Sequence, residues 1–398
     1  IDDAGLMSFS DLERRTEECG RPGGVISLDN WYGQRELSIP LAKRLETTAA
    51  RQSLCLVLID EKPEDYNLNI SVLAFRIARY YCPSLSCLVL TPDESFYRKE
   101  LFQDVSFAEY DRSDLISVLN EAAVSDLKSD WLVVARTPSE LTPAGLVLLL
   151  AELESSGAAL DAAYGDELVE NNGKTESGYF RPGLNLDMLL SSPADMSRHW
   201  LFRRATLVEL GGFSKNDDSA FELGYILRLI EERGFGCIGR TDEPLFLLHA
   251  GTQTFDLAAY VPVIRSHLER RGYAGAGIEP GLTSSSLRVR YPHAGAPLVS
   301  IIIPTKDQLH LLQTCVESIL EKTAYPNYEI LVVDNNSETP EARAWLDGLN
   351  SMGLPNLRVL RYPKPFNFSA INNYAVTQSR GDYVLLLNND TGIIKEDW

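Results

Sequence analysis

Several features that would assign this sequence to a class are missing from it. No apolar run approaches the ~20 residues needed to cross a bilayer; the longest is Leu146 to Leu150 with its neighbours. The opening residues show no signal-peptide pattern. Positive charge is scarce: 37 Lys and Arg against 56 Asp and Glu give a net charge of −19 over 398 residues. That balance argues against nucleic acid as a partner and makes a bridging cation useful wherever a diphosphate docks. Cysteine is sparse and scattered, at positions 19, 55, 82, 87, 237 and 315. Three of the six lie in apolar runs, so they read as reduced core residues of a cytosolic protein rather than disulfides. Cys82 and Cys87 lack the partners of a zinc site.

What is present is length enough for two domains and a stretch, Val299 to Asp390, that organises the rest. Three apolar runs, Val299–Ile303, Glu329–Val333 and Tyr383–Leu387, each stop at a polar tip. The tips are Pro304-Thr305, Asp334-Asn335-Asn336-Ser337 and Asn388-Asn389-Asp390. Nearly continuous β-branched and leucine runs predict parallel strands buried on both faces. Asp307 is the expected N-cap of a crossover helix carrying Leu309, Leu312, Val316, Ile319 and Leu320 at helical spacing. The second connection reads as a helix near Glu341–Leu349, an extended Leu357–Leu360 and a helix near Ser369–Gln378. Ligands of open parallel sheets bind beyond the carboxyl ends of the strands, so all three tips are expected to face one crevice.

Asp390 is a hard oxygen ligand preceded by two amides, and Asp334 is a second fixed carboxylate suited to a base or ribose. One carboxylate with neutral neighbours suits Mg²⁺ or Mn²⁺ shared with a substrate diphosphate. Either Asp taken alone is better explained by a turn after its strand. Three tips in register favour a ligand.

These motifs, with Tyr325-Pro326-Asn327-Tyr328 ahead of the second strand and Phe366-Asn367-Phe368-Ser369 followed by Asn372-Asn373, resemble the opening half of family 2 glycosyltransferases. More narrowly, they resemble the bacterial enzymes that build O-antigen, rhamnan and other cell-surface polysaccharides. The resemblance implies an α/β fold of GT-A type, a nucleotide-diphosphate-sugar donor, a divalent metal and inversion at the anomeric carbon. It further implies that Pro304, Thr305, Asp334 and Asn336 help hold the nucleotide sugar, and that Asn388-Asn389-Asp390 stands in for the family's Asp-X-Asp motif. With Asn388 in its first place, Asp390 is left as the metal carboxylate. By comparison with the copy described next, and from ordinary domain sizes, the base and acceptor groove of this domain are expected beyond Trp398. The chain reads as clipped at both ends.

The same pattern recurs earlier in weaker form. Leu54–Asp60 answers to the strand at Val299, Cys87–Asp93 to the strand at Ile330, and Asp130–Ala135 to Asp382–Leu387. That alignment sets Arg136, Thr137 and Pro138 opposite Asn388, Asn389 and Asp390, so a proline replaces the metal carboxylate. The preferred reading is a glycosyltransferase scaffold without metal-dependent donor chemistry; the alternative is an active domain misaligned by a few residues, with Glu140 the nearby carboxylate able to substitute. Ala163–Glu167, Asn171–Lys174, Tyr179–Gly183 and Leu210–Phe213 resemble the family's acceptor half. Asn171-Asn172-Gly173 is also simply a good hairpin turn. Glu222 falls where the family has its catalytic Asp, and His249 where it often has a late His. A base there would take the acceptor hydroxyl's proton, but the extra methylene of Glu222 displaces it by about an ångström. The simpler reading, a surface Glu on an amphipathic helix with Phe221, Leu223, Ile226 and Leu229, is preferred.

The predicted architecture is therefore two α/β domains of GT-A type. Residues 1–53 form a helical and irregular segment, 54–251 a nearly complete degenerate domain, 252–296 a helix (Ala258–Arg271, ended by Gly272) plus a loose linker with a short strand at Leu287–Arg290, and 297–398 the donor half of a second domain. The predicted function is inverting, metal-dependent transfer of a sugar to a glycan or lipid-linked glycan acceptor, in the cytosol or peripherally at the inner face of the cytoplasmic membrane. A non-catalytic carbohydrate-binding or scaffolding protein is the alternative from another class. A nucleotidyltransferase is disfavoured, because no Gly-rich, basic phosphate loop follows Val299–Ile303.

Overall fold

The computed structural model describes residues 27–33, 52–65, 67–111, 113–126, 128–251, 256–292 and 295–397. Of the helical and irregular segment expected at residues 1–53, residues 1–26, Cys19 among them, and 34–51 lie outside the described residues, as does Trp398. The chain divides into two compact units, residues 1–292 and 293–398.

The first unit is built on a nine-stranded sheet of β1 (Leu54–Ile59), β2 (Leu85–Thr91), β3 (Ser106–Glu109), β4 (Trp131–Arg136), β5 (Ser139–Leu141), β6 (Ala162–Asn171), β7 (Lys174–Tyr179), β8 (Leu201–Arg203) and β9 (Ile238–His249). The order is β3-β2-β1-β4-β8-β6-β9-β5, with β7 on β6. The first four strands are mutually parallel, while β8, inserted antiparallel between β4 and β6, makes the sheet mixed. β1 is buried at every residue and alternates its side chains between two cores, Cys55, Val57 and Ile59 on one face and Leu54, Leu56 and Leu58 on the other. Each such side chain contributes roughly 1.5–3 kcal/mol through burial. The longest apolar run becomes a core helix, Pro143–Ser156, capped by Thr142, whose Oγ1 accepts from Gly145 N–H. Gly145 permits its close packing, since a Cβ there would sit 2.1 Å from the Pro244 carbonyl oxygen. Asn171-Asn172-Gly173 does form the β6–β7 hairpin, with Asn172 and Gly173 both at positive φ.

The helix expected at Ala258–Arg271 runs from Tyr260 to Arg270 behind a 3₁₀ turn at Leu257–Ala259. The linker is more ordered than its Gly- and Ser-rich composition suggested. β10 (Gly277–Pro280) pairs antiparallel with β11 (Leu287–Arg290), so the predicted short strand is half of a hairpin.

The second unit holds a four-stranded parallel sheet, β12 (Val299–Thr305), β13 (Tyr328–Asp334), β14 (Leu357–Arg361) and β15 (Tyr383–Leu386), in the order β14-β13-β12-β15. β12 and β13 are buried on both faces as predicted, Ile301, Ile303, Ile330 and Val332 facing one core and Ile302, Leu331 and Val333 the other. β15 is not. Tyr383, Val384 and Leu386 are exposed, and among the described residues β15 is paired along its β12 side only. The crossover helix is Leu309–Lys322. Asp307 does not cap it, however. Its Oδ1 accepts from the backbone N–H groups of Glu338 and Thr339 (2.8 Å each), so it caps the entry to the next helix, Pro340–Ser351. A residue at φ +55, followed by Gln308 at φ +43, turns the Asp307 side chain away from its own helix.

The two units share a hydrogen-bonding frame. In each, a central strand is flanked by the second and fourth strands in order of sequence, β3-β2-β1-β4 and β14-β13-β12-β15. Leu54 pairs with Leu85 and Trp131, as Val299 pairs with Tyr328 and Tyr383. Asp130 Oδ2 accepts from Ser53 N–H at 3.1 Å, and Asp382 Oδ2 from Leu298 N–H at 3.1 Å. Counting along these registers makes Asp60 equivalent in position to Thr305, Thr91 to Asp334, Tyr110 to Tyr362, and Arg136-Thr137-Pro138 to Asn388-Asn389-Asp390.

Candidate active site

In the second unit the three tips meet at Thr305. It pairs across the sheet with Asp334, its carbonyl accepts from Asn335 N–H at 2.8 Å, and its hydroxyl accepts from Asn389 Nδ2 at 3.1 Å. β12 thus lies between the other two; Asp334 and Asp390 are not on adjacent strands but on strands that flank a common neighbour. Pro304 is half-buried within β12, while Asn336, Asn388 and Asp390 are exposed.

Each tip is held from behind. Asp334 is buried, its Oδ1 taking bonds from the Ser337 backbone N–H (2.9 Å) and hydroxyl, its Oδ2 from Arg361 Nη1 at 2.7 Å. Asn335, also buried, donates to the carbonyls of Tyr362 and Lys364. The Asn388–Asp390 tip rests on the crossover helix: the Cys315 thiol lies 3.7 Å from the Asn388 carbonyl, Ser318 Oγ accepts from Ile393 N–H, and Lys322 donates to the Ile393 carbonyl. Burial, with a smaller contribution from nearby Asp390, pushes the Cys315 thiol up to about 11, so it stays neutral under the tip. A cavity beside Asp334 is lined by Asn336, Ser337, Arg343, Asp347, Arg361 and Tyr362. Arg361 and Arg343 had no role in the sequence reading. Only the two arginines set among the apolar residues of Leu357-Arg358-Val359-Leu360-Arg361 could have signalled one for Arg361.

The donor set fits a divalent ion that takes most of its ligands from substrate. Asp390 is an exposed carboxylate at the carboxyl edge of the sheet, flanked by amides. Among the described residues no group of three His, Cys, Asp or Glu ligands includes it.

In the first unit the corresponding tips carry other chemistry. Asp60, at the place of Thr305, is buried and bonded by the Thr137 and Tyr97 hydroxyls, and burial raises its pKa. Arg136 pairs with Glu61 at 3.1 Å. Glu140 and His249, singled out separately in the sequence, do come together: His249 Nε2 lies 2.7 Å from Glu140 Oε1, with Glu170 beside them.

Glu222 is not on the surface. It is buried in the first turn of the helix Phe221–Arg233, where its Oε1 accepts from His199 N–H at 3.0 Å. The helix packs both flanks inward, which a hydropathy pattern with Glu at one edge does not reveal. Burial pushes the Glu222 carboxyl up to about 8, against the lowering pull of Arg136. Next to it lies a cluster the sequence reading passed over. Glu167, fully buried, receives Arg181, Arg198 (2.7 Å) and His199 Nδ1 (2.8 Å). Burial alone would raise the Glu167 pKa, but the two guanidinium groups and the imidazole outweigh it and hold the carboxylate well below its ordinary range. The available signal was two arginines and a histidine placed inside apolar stretches, at Arg181 and at Arg198-His199 before Trp200-Leu201-Phe202.

Residues 300–398 match the family model described as glycosyl transferase family 2. Over 244 residues, 58% of this chain, the sequence is 37% identical to the O-antigen biosynthesis protein RfbC of Myxococcus xanthus, covering 18% of that protein. Over 292 residues, 71% of the chain, it is 30% identical to the uncharacterized protein y4gI of Sinorhizobium fredii, covering 32% of it. The chain therefore spans less than a third of the length of these curated relatives. Among solved structures, S. aureus TarS in complex with UDP aligns over 55% of this chain and 71% of its own at 10% identity and a TM-score of 0.38.

Proposed function

We propose, from the premise that residues 300–398 belong to glycosyl transferase family 2, that the protein transfers a sugar from a nucleotide-diphosphate donor to a growing cell-surface polysaccharide, with inversion and with the help of a divalent metal. The observation that carries this reading is the meeting of the Asp334, Thr305 and Asn389 tips at the carboxyl edge of one parallel sheet, with Asp390 exposed beside them. We read the fold as GT-A in type and the two units as tandem copies.

In this reading Asp334, with the backbone of Pro304-Thr305 and the exposed Asn336, binds the nucleoside, and the Arg361 hydrogen bond fixes the position of the Asp334 carboxylate. Asn388, Asn389 and Asp390 would hold Mg²⁺ or Mn²⁺, which when bound offsets the charge of the leaving diphosphate. Thr305 keeps the Asn389 amide turned, so that the tip is set before substrate arrives. The first unit serves without donor chemistry, since Pro138 stands where Asp390 does. Cytosolic action on a glycan or lipid-linked glycan fits the relative named for O-antigen biosynthesis. Among the described residues no helix is long and apolar enough to cross a membrane.

The test is calorimetric titration of the chain with UDP-glucose, GDP-mannose and dTDP-rhamnose, with and without Mn²⁺. One donor should bind only with the ion present, and Asp390→Ala should weaken it at least about tenfold. Binding indifferent to both the ion and the substitution would favour the non-catalytic, glycan-binding alternative.

A further inference from the structure

We propose that the cavity at the carboxyl ends of β1, β3 and β4 is a metal-free site for one neutral glycosyl residue. The inference stands apart from the donor chemistry of residues 300–398, since it concerns only the first unit. The cavity measures 280 Å³, and Glu61, Tyr110, Leu115, Arg136, Lys215 and Asp218 contribute to its wall.

Its place in the fold matches that of the tips in the second unit: Arg136 stands at the position of Asn388 and Tyr110 at that of Tyr362. What a nucleotide would need has gone. Thr91 replaces Asp334, its hydroxyl turned to the Asp93 backbone at 3.4 Å. Asp60 is buried under Thr137 and Tyr97. Pro138 offers no ligand atom to an ion.

Charge also weighs against a diphosphate. Three carboxylates, of Glu61, Asp114 and Asp218, line the cavity against two cations, Arg136 and Lys215. Both cations are already paired, Arg136 with Glu61 at 3.1 Å and Lys215 with Asp114 at 3.3 Å. Such pairs leave lone pairs and N–H groups of both kinds facing one small space. A polyol suits that space, because every hydroxyl both donates and accepts and its bonds to ionised partners are the stronger kind. Tyr110 and Leu115 supply an apolar wall for the C–H face of a ring. The volume sits just below the roughly 300–1,000 Å³ of sites for drug-sized ligands, room for a single ring rather than a nucleotide.

Saturation-transfer NMR of the full chain with the methyl glycosides of rhamnose, mannose, glucose and N-acetylglucosamine tests this. Transfer to at least one glycoside is expected, unchanged by EDTA and by Asp390→Ala. Ser219→Trp, at an exposed position on the cavity rim, should reduce affinity about tenfold or more by filling the space. Asp218→Asn, nearly isosteric, should weaken binding without altering the unfolding midpoint, and serves if the indole disturbs the fold. Absence of transfer from every glycoside, transfer that persists in both variants, or transfer that requires Mn²⁺ overturns the proposal. Loss of donor binding in Asp390→Ala with glycoside transfer intact separates this site from the one in residues 300–398.

Discussion

Arg136-Thr137-Pro138 and Asn388-Asn389-Asp390 occupy the same step of the same strand order, and they have little chemistry in common. The frame that places them is preserved down to the aspartate that opens each strand, Asp130 bonding Ser53 as Asp382 bonds Leu298. Even the contact from the middle residue to the central strand recurs, Thr137 with Asp60 and Asn389 with Thr305. What differs is the side chain presented to the crevice, a cation and a proline in one case and two amides and a carboxylate in the other. A backbone register is costly to change, because one slip moves every buried side chain to the wrong face. A tip residue is changed without that penalty, so scaffold and chemistry part company first at strand ends.

The interiors of the two units invite the same comparison, and substitution can break it. The largest effect is expected at Glu167. Removing its carboxylate by Glu167→Ala leaves Arg181 and Arg198 buried without their partner, at a cost of about 3–5 kcal/mol. Hydrogen exchange should show lost protection across β6 and β8 with β12 and β13 unchanged; loss of protection in both units would mean that they do not unfold separately.

Glu222 gives a pH signature. Its folded pKa, about 8, lies above the ordinary glutamate value, so the folded state binds the proton more tightly than the unfolded chain does. Stability from this group is present below the unfolded pKa and falls as pH rises from about 4.5 to about 8. Glu222→Gln, which keeps the neutral form, should gain on the native chain over that interval, by up to a few kcal/mol at pH 8. Parallel unfolding midpoints for the two proteins between pH 5 and 8 would contradict the assignment.

The second unit also buries a carboxylate, Glu329, which sits nearer water than Glu167 and is bonded by the Ser300 hydroxyl, Arg380 N–H and Arg358. Glu329→Ala should cost about 2 kcal/mol, less than Glu167→Ala because Arg358 regains solvent. The smallest effect is expected at Asp307→Ala, about 1 kcal/mol, from loss of the cap on Pro340–Ser351. Denaturant midpoints at constant slope measure both.

Strands and helices in residues 299–386 were legible because burial on two faces writes continuous apolar runs and amphipathic helices repeat at 3.6 residues. The Asp307 cap was misread because a helix-capping residue is assigned by adjacency, and two left-handed residues sent this side chain to the following helix. The exposure of β15 was invisible because composition reports what a strand could bury, not what packs against it. Thr305, Asp334 and Asn389 stand at strand ends that the sequence itself marks, whereas the pairing of Arg361 with Asp334 depends on β14 lying beside β13, which no local pattern announces. The Glu167 cluster brings together residues 14 to 32 positions apart, a proximity that no local pattern encodes.

The contrast between the two tips is tested most directly by counting Mn²⁺ bound per chain in the presence of a nucleoside diphosphate, by electron paramagnetic resonance. The account predicts one ion that depends on the nucleotide and is lost in Asp390→Ala. A nucleotide-dependent ion retained by Asp390→Ala, or a second one, would contradict it.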